Sequence, residues 1–344
     1  MSIPVIAFFN NKGGVGKTSM VYHLAWMFAD RGLRVIAADL DPQGNLTAAF
    51  LDEDRLEQVL SDNDHPLTVY GCIQPIKRGT GDIAEPHVEI ISERLGLILG
   101  DMALSMFEDQ LSEVWPKCMD KDERAFRVTS AFWRILQAAA GKHGSEVILI
   151  DLGPDLGAIN RAALIASDFV VIPLGPDLFS LQGLQNLGPA LRRWREEWKE
   201  RITKNPAPDL DLPPGSIKPV GYMVLCHSIR LDRPVKAYDR WIARIPQTYR
   251  ESVLDQPGTT SVSVDDDENC IAKLKDYRSL MPLAQEARKP MFFLKPADGA
   301  LGAHTNAVGQ AYTDFLFVAQ QIARRTGIKA PCQTSAVSSH TPSR

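Results

Sequence analysis

Asn11-Lys12-Gly13-Gly14-Val15-Gly16-Lys17-Thr18 follows almost directly on the apolar run Val5-Ile6-Ala7-Phe8-Phe9. A strand, a glycine-rich turn and then a helix leave several backbone N–H groups without helical partners, all pointing into one concavity at the positive end of the helix dipole. Such a concavity cradles phosphate. Glycine is required at Gly13, Gly14 and Gly16 because a polyphosphate must approach the main chain closely, and a Cβ would block it or forbid the dihedrals. Lys17 then supplies a mobile cation for β and γ phosphates, the Thr18 hydroxyl a ligand for Mg²⁺, and Ser19 completes the nucleotide-binding segment begun at Asn11.

The common phosphate-loop pattern G-x-x-x-x-G-K-[ST] would open with glycine at residue 11, where this chain has asparagine. It carries instead a second lysine, Lys12, inside the loop. The string Lys12 to Thr18 thereby resembles the deviant P-loop of the ParA/MinD family of ATPases, and most closely its ParA/Soj-like partition members. That resemblance implies ATP with Mg²⁺, and a homodimer in which Lys12 reaches across to the partner's phosphates.

Working outward, Met20, Val21, Leu24, Met27 and Phe28 fall at helical spacing over residues 18–31, and Gly32 reads as the stop. The next apolar run, Val35 to Ala38, leads into Asp39-Leu40-Asp41-Pro42-Gln43-Gly44-Asn45. By itself this is ordinary turn chemistry. Beside a P-loop it resembles the family's switch I, which implies that Asp41 positions the attacking water and that Asp39 is an indirect partner of the metal or of Lys17. A third apolar run, Val147 to Ile150, ends in Asp151-Leu152-Gly153-Pro154. A carboxylate there lies beside the P-loop and can hold a Mg²⁺ water. The match to switch II implies Asp151 for the metal and Gly153 for a turn that senses the γ-phosphate.

Further apolar strands are expected at 95–100, 169–174, 220–225 and 271–274, and helices at 103–111, 123–140, 183–201, 233–254, 280–288 and 305–325. Strands alternating with helices imply an α/β fold, a doubly wound, mostly parallel sheet with helices on both faces, the three-layer P-loop NTPase architecture. The resemblance runs from residue 3 to about 325. Residues 1–328 are expected to form one domain. Six prolines or glycines between 206 and 219 mark an insertion at about 203–219, and the Ser/Thr/Pro tail at 329–344 reads as disordered. Where the family often has proline near the base, this chain reads Lys275-Asp276-Tyr277, so the adenine contacts stay open.

Composition bounds the rest. The chain has 344 residues, 44% hydrophobic and 23% charged, with net charge −4, so no global basic field holds nucleic acid and DNA binding would need a local patch. Arg192, Arg193, Arg195, Lys199 and Arg201 stand among glutamates on one expected helix. They read either as a solvated face with i,i+4 pairs or as a patch for non-specific DNA. Trp194 and Trp198 read as packing residues. Five scattered cysteines form no C-x-x-C pair, His65 and His87 stand alone, and Asp265 to Glu268 reads as an exposed acidic turn. No apolar run is long enough to span a bilayer and no signal peptide opens the chain, so a cytoplasmic protein without membrane partners is expected.

The resemblance to the ParA family implies an ATP-dependent dimerising switch that positions or segregates DNA or another cargo, with an adaptor or effector protein stimulating slow Mg²⁺-dependent hydrolysis. The alternative is a nucleotide-gated regulatory subunit that controls a bound effector without DNA. A MinD-like membrane protein would need an amphipathic C-terminal helix, an iron-sulfur relative would need cysteines near switch II, and an autorepressor would need a domain ahead of the P-loop. None of these is expected here.

Overall fold

The computed structural model describes residues 2–226, 235–256, 258, 262–275, 277 and 280–328. Among them eight strands form one sheet: β1 (Val5–Phe8), β2 (Val35–Asp39), β3 (Glu89–Ser92), β4 (Leu95–Ile98), β5 (Val147–Asp151), β6 (Phe169–Leu174), β7 (Lys218–Cys226) and β8 (Cys270–Lys275). Their spatial order is β3-β4-β2-β5-β1-β6-β7-β8. Every pairing is parallel except that of edge strand β3 with β4. The doubly wound, mostly parallel sheet expected from the sequence is therefore present, with one antiparallel edge strand that the apolar runs did not announce.

Helices cover both faces: α1 (Lys17–Asp30), α2 (Asn45–Phe50), α3 (Glu53–Leu60), α4 (Val69–Arg78), α5 (Glu108–Lys117), α6 (Glu123–Thr129), α7 (Ala131–His143), α8 (Ala158–Ile165), α9 (Leu178–Ile202), α10 (Val235–Ile242), α11 (Ile245–Thr248), α12 (Met281–Ala287) and α13 (Ala303–Thr326). The two cores follow the strand period of two. Val5 and Ala7 of β1, with Ile36 of β2 and Ile148 of β5, face the layer containing α4 to α9. Ile6 and Phe8, with Val35 and Val147, face α1 and α13. A central parallel strand buried on both sides reads as an unbroken apolar run, which is why β1, β2 and β5 were legible.

Several expected boundaries move. The helix expected at 123–140 is two, α6 and α7, broken at Ser130, whose main-chain angles leave the helical range, and α7 runs on to a left-handed Gly144. The segment 103–111 is a tight 3₁₀ turn, Met102–Phe107, leading into the longer α5. Part of the helix expected at 233–254 and the whole tail expected at 329–344 lie outside the described residues. Asp267 is not an exposed acidic residue: it is 4% exposed and accepts the Tyr222 hydroxyl at 2.7 Å. No helix among the described residues is long and apolar enough to cross a membrane.

α9 meets the irregular turn Tyr249–Val253 at unusually close range through Gly188. A Cβ there would sit 1.8 Å from the Ser252 carbonyl oxygen and 2.4 Å from its carbon, which are backbone atoms without a rotamer to escape into. Gly188→Ala is therefore expected to cost on the order of 3 kcal/mol or more of stability. Urea unfolding would test this, and a variant as stable as the parent would show that the two segments are not in contact.

Candidate nucleotide site

The parallel order places the carboxyl ends of β2, β5 and β1 side by side, with Asp39 opposite Asp151 and Asp151 opposite Phe8. The turn after β1 thus emerges beside two strand-end aspartates, at the edge where open α/β sheets bind ligands. Gly14 and Gly16 take positive φ of 71° and 77°, and Gly16 precedes α1 with no side chain to cap it and no acidic residue in the first turn. No atom lies within 4 Å of where a Cβ at Gly13 or Gly14 would project, so the cradle is open on that side. At Gly16 a Cβ would meet Leu225 at 2.8 Å.

Lys17 is 7% exposed, and its ammonium donates to the carbonyls of Asn10 at 3.1 Å and Lys12 at 3.2 Å. Burial pulls its pKa below the ordinary lysine value, opposed by the charges of Asp151, Asp41 and Asp155. Asp151 is fully buried, and neither carboxylate oxygen makes a well-formed hydrogen bond. Burial first, then the charge of Asp39, raise its pKa, and the nearby Thr18 hydroxyl offsets this only in part. A buried carboxylate so weakly hydrogen-bonded is costly, and a cation beside it offsets that cost. The donor set of Thr18 hydroxyl and Asp151 suits Mg²⁺, which keeps most of its ligands as water and phosphate oxygen. Among the described residues no group of three or more His, Cys, Asp or Glu side chains could hold a metal ion by itself.

Asp39 is buried and fully engaged by its own loop. Its Oδ2 accepts the Thr47 N–H and hydroxyl, both at 2.8 Å, and its Oδ1 accepts the Asp41 N–H at 3.3 Å. Its oxygens brace the loop that carries Asp41. Burial leads in raising its pKa too. Thr47 in turn accepts the Gly100 N–H at 2.7 Å, tying the loop to β4. Asp41 is 7% exposed, accepts the Gln43 N–H at 2.9 Å, and faces Gly153, where an added Cβ would lie 3.3 Å from its Oδ1. Asn160 holds the Gly153 carbonyl at 3.2 Å. The P-loop, Asp41, Asp151 and Gly153 thus converge on one place.

A cavity of about 810 Å³ extends from the P-loop, past Asp41, to a second wall formed by Tyr22, His23, Met281, Gln285, Tyr277 and Phe315. That wall comes from α1 and the C-terminal third, and supplies the apolar arm a nucleobase needs. Of the segment Lys275-Asp276-Tyr277, Tyr277 lines the cavity with its hydroxyl bonded to Asp314, while Asp276 lies outside the described residues.

His23, buried in this wall, is held in one tautomer. The Ser19 carbonyl, 2.7 Å from Nδ1, can only accept, so Nδ1 carries the proton, and Nε2 accepts the Met291 N–H at 3.2 Å. Burial holds its pKa down to about 4, against an ordinary value of 6.5. The unfolded chain therefore takes up this proton near pH 6.5 while the folded one resists until about 4. Stability from this group is intact above pH 6.5 and is lost as pH falls toward 4, by about 2 kcal/mol between pH 7 and 5. Urea unfolding of the parent and of His23→Gln at both pH values should show a smaller acid loss in the variant, and equal losses would contradict the assignment.

The five basic residues singled out on α9 do not form one patch. Arg201 is 8% exposed, its guanidinium 4.1 Å from the Trp115 ring centre and its Nε donating to the Trp115 carbonyl. Arg192 donates to the Ser252 and Val253 carbonyls. Arg195 is half-buried, and only Arg193 and Lys199 are exposed. Trp194 and Trp198 are core residues as expected, Trp198 stacking on Trp115. His65 and His87 pair with Asp101 and Glu89. Sequence reading passed over Asp177, which forms an ion pair with Lys12 and starts α9. The only signal was an Asp three residues ahead of Ser180, an ordinary helix-start pattern.

An AAA domain family model matches residues 3–204. Protein IncC of Escherichia coli is 32% identical over 188 residues, 55% of this chain and 45% of IncC. The chromosome partitioning protein ParA of Caulobacter vibrioides is 28% identical over 198 residues, 58% of this chain and 66% of that protein. The sporulation initiation inhibitor Soj of Bacillus subtilis is 30% identical over 184 residues, 53% and 62% respectively. The chain thus spans about half to two thirds of the length of these curated relatives. Among solved structures, a Corynebacterium diphtheriae protein superposes with a TM-score of 0.66 at 23% identity, over 94% of this chain and 99% of that one. A Borrelia burgdorferi plasmid partition protein bound to AMPPNP gives 0.54 at 16% over 94% and 100%, and apo McdA of Cyanothece gives 0.59 at 14% over 92% and 98%. At these identities the shared property is the fold.

Proposed function

The chain belongs to the AAA domain family, as a P-loop protein of the ParA type, and on that premise we propose that it is an ATP-driven dimerising switch that positions or segregates DNA or another cargo. The observation that carries this reading is the convergence of an open glycine cradle, a buried lysine and the orphaned carboxylate of Asp151 at an uncapped helix start. AMPPNP is bound by the Borrelia partition protein and ATP by McdA, and both share this fold.

Here the N–H groups from Gly13 to Ser19 would take the phosphates, and Lys17 would exchange its two carbonyl partners for β and γ oxygens. Thr18 and Asp151 would hold Mg²⁺, which when bound offsets charge on the β and γ phosphates. Asp41, braced by Asp39 and facing Gly153, would orient the attacking water in line, chemistry that needs position more than covalent participation. Lys12 would reach the triphosphate of a second copy, so loss of the γ-phosphate loosens the dimer. An adaptor protein would set the rate of hydrolysis, in a cytoplasmic setting.

DNA binding at 50 and 200 mM salt, with and without ATP, tests the output. Affinity that needs ATP and falls steeply with salt supports DNA as the track. No binding at 50 mM salt would move the assignment to a nucleotide-gated regulatory subunit that controls an effector protein. The burial of Arg201 and the carbonyl contacts of Arg192 favour that second reading on the α9 face.

A further inference from the structure

Lys12 does not stand free beside the phosphate cradle. Its ammonium pairs with the Asp177 carboxylate, across 165 residues of sequence, with the two side chains only 29% and 20% exposed. The Lys12 main chain is fixed as well, its N–H donating to Asn10 Oδ1 at 3.0 Å. The other oxygen of Asp177 caps α9 by accepting the Ser180 N–H at 3.0 Å, and the Ser180 hydroxyl accepts the Gly175 N–H at 3.1 Å. One turn on, Gly183 lets α9 close on the loop, since a Cβ there would lie 2.7 Å from Asn11 Oδ1 and 2.8 Å from Asn10 Oδ1. Residues 177, 180 and 183 recur at helical spacing and form one stripe. That stripe is the surface against which the P-loop and the Lys12 side chain rest.

We propose that Asp177 is a positioning residue that holds Lys12 within its own subunit, so that each protomer must break this internal ion pair before lending its cation to a second copy. This rests on the reading above that Lys12 acts across a dimer. An ammonium held on Asp177 of its own subunit has to leave that carboxylate to reach a phosphate bound by the facing subunit, so dimerisation is an exchange of Asp177 for phosphate. A terminal phosphate carries more negative charge than a carboxylate and so competes with Asp177 for Lys12, and in a triphosphate that terminal group extends one phosphoryl unit further toward the facing subunit than in a diphosphate. The internal pair thereby sets a threshold that the facing nucleotide must exceed before two copies associate.

Asp177→Asn removes the charge and keeps the helix cap, for which Asn is as good as Asp. Sedimentation equilibrium of the full chain with Mg²⁺ and a non-hydrolysed ATP analogue is expected to show the dimer dissociation constant of Asp177→Asn lowered roughly tenfold, two partly exposed pairs no longer being broken per dimer. With ADP the variant should show dimer at concentrations where the parent is monomeric. In a Lys12→Gln background the same substitution should change nothing, which a role limited to capping α9 would not predict. Asp177→Asn dimerising no more tightly than the parent, or gaining equally without Lys12, would overturn the latch while leaving the dimer intact. If neither protein dimerises with the analogue, exchange of Lys12 between subunits is wrong and the latch falls with it.

Discussion

Asp41→Ala is expected to hydrolyse ATP at least about a hundredfold more slowly than the parent while still binding it and still dimerising, since positioned proton acceptors contribute typically 10² to 10⁴ in rate. The expectation follows from how much of the surrounding structure fixes this one carboxylate. Asp39 takes the Asp41 N–H and both donors of Thr47, Thr47 is tied to Gly100, and the Gln43 N–H orients Asp41 Oδ1. The result is a nearly buried carboxylate looking at Gly153 from across the site. Alanine removes the acceptor and leaves the bracing of the loop, the P-loop and Lys17 in place. Phosphate release at saturating ATP, with sedimentation on the same sample, separates the two effects. Turnover near the parent rate would mean that another group orients the water.

Asp151→Asn is expected to move stability and activity in opposite directions. In the nucleotide-free protein Asp151 is buried without a well-formed hydrogen bond beside a second buried carboxylate, Asp39, its register partner on β2. Burial and Asp39 hold the Asp151 pKa well up, so near neutral pH the folded protein must either protonate this carboxyl or bury its charge, a cost that asparagine removes, for a gain of about 1–3 kcal/mol or a rise in Tm of several degrees. The same change removes the anion that Mg²⁺ needs, so Mg²⁺-dependent turnover should fall by about a hundredfold or more. Functional sites carry such strain because the ligand relieves it. Thermal unfolding without nucleotide checks the first half and ATP turnover the second. A variant that melts lower than the parent would show that Asp151 is satisfied by the protein itself.

What could be read ahead of the structure was whatever a short window encodes. Gly14 and Gly16 are needed for left-handed backbone that few other residues adopt, so the loop announces itself. Asp39 and Asp151 each close an apolar run, and parallel strands bring such ends to one edge. Roles that depend on long-range contacts were hidden. Asp177 meets Lys12 only because β6 lies next to β1, and nothing near residue 177 says so. Arg201 looks like a surface cation until Trp115 is seen beneath it. Asp267 sits in an acidic run whose neighbours do face solvent, and only Tyr222 and Arg250 explain its burial. The far wall of the cavity joins α1 to residues beyond 275, two parts of the chain that share no local pattern.

The claim beneath all of this is that a triphosphate brings two copies together and a diphosphate does not. Sedimentation equilibrium of the parent chain, with Mg²⁺ and either a non-hydrolysed ATP analogue or ADP, addresses it without recourse to any variant. The predicted result is a dimer with the analogue and a monomer with ADP. A single species of monomer mass under both conditions, with bound nucleotide verified, would contradict it.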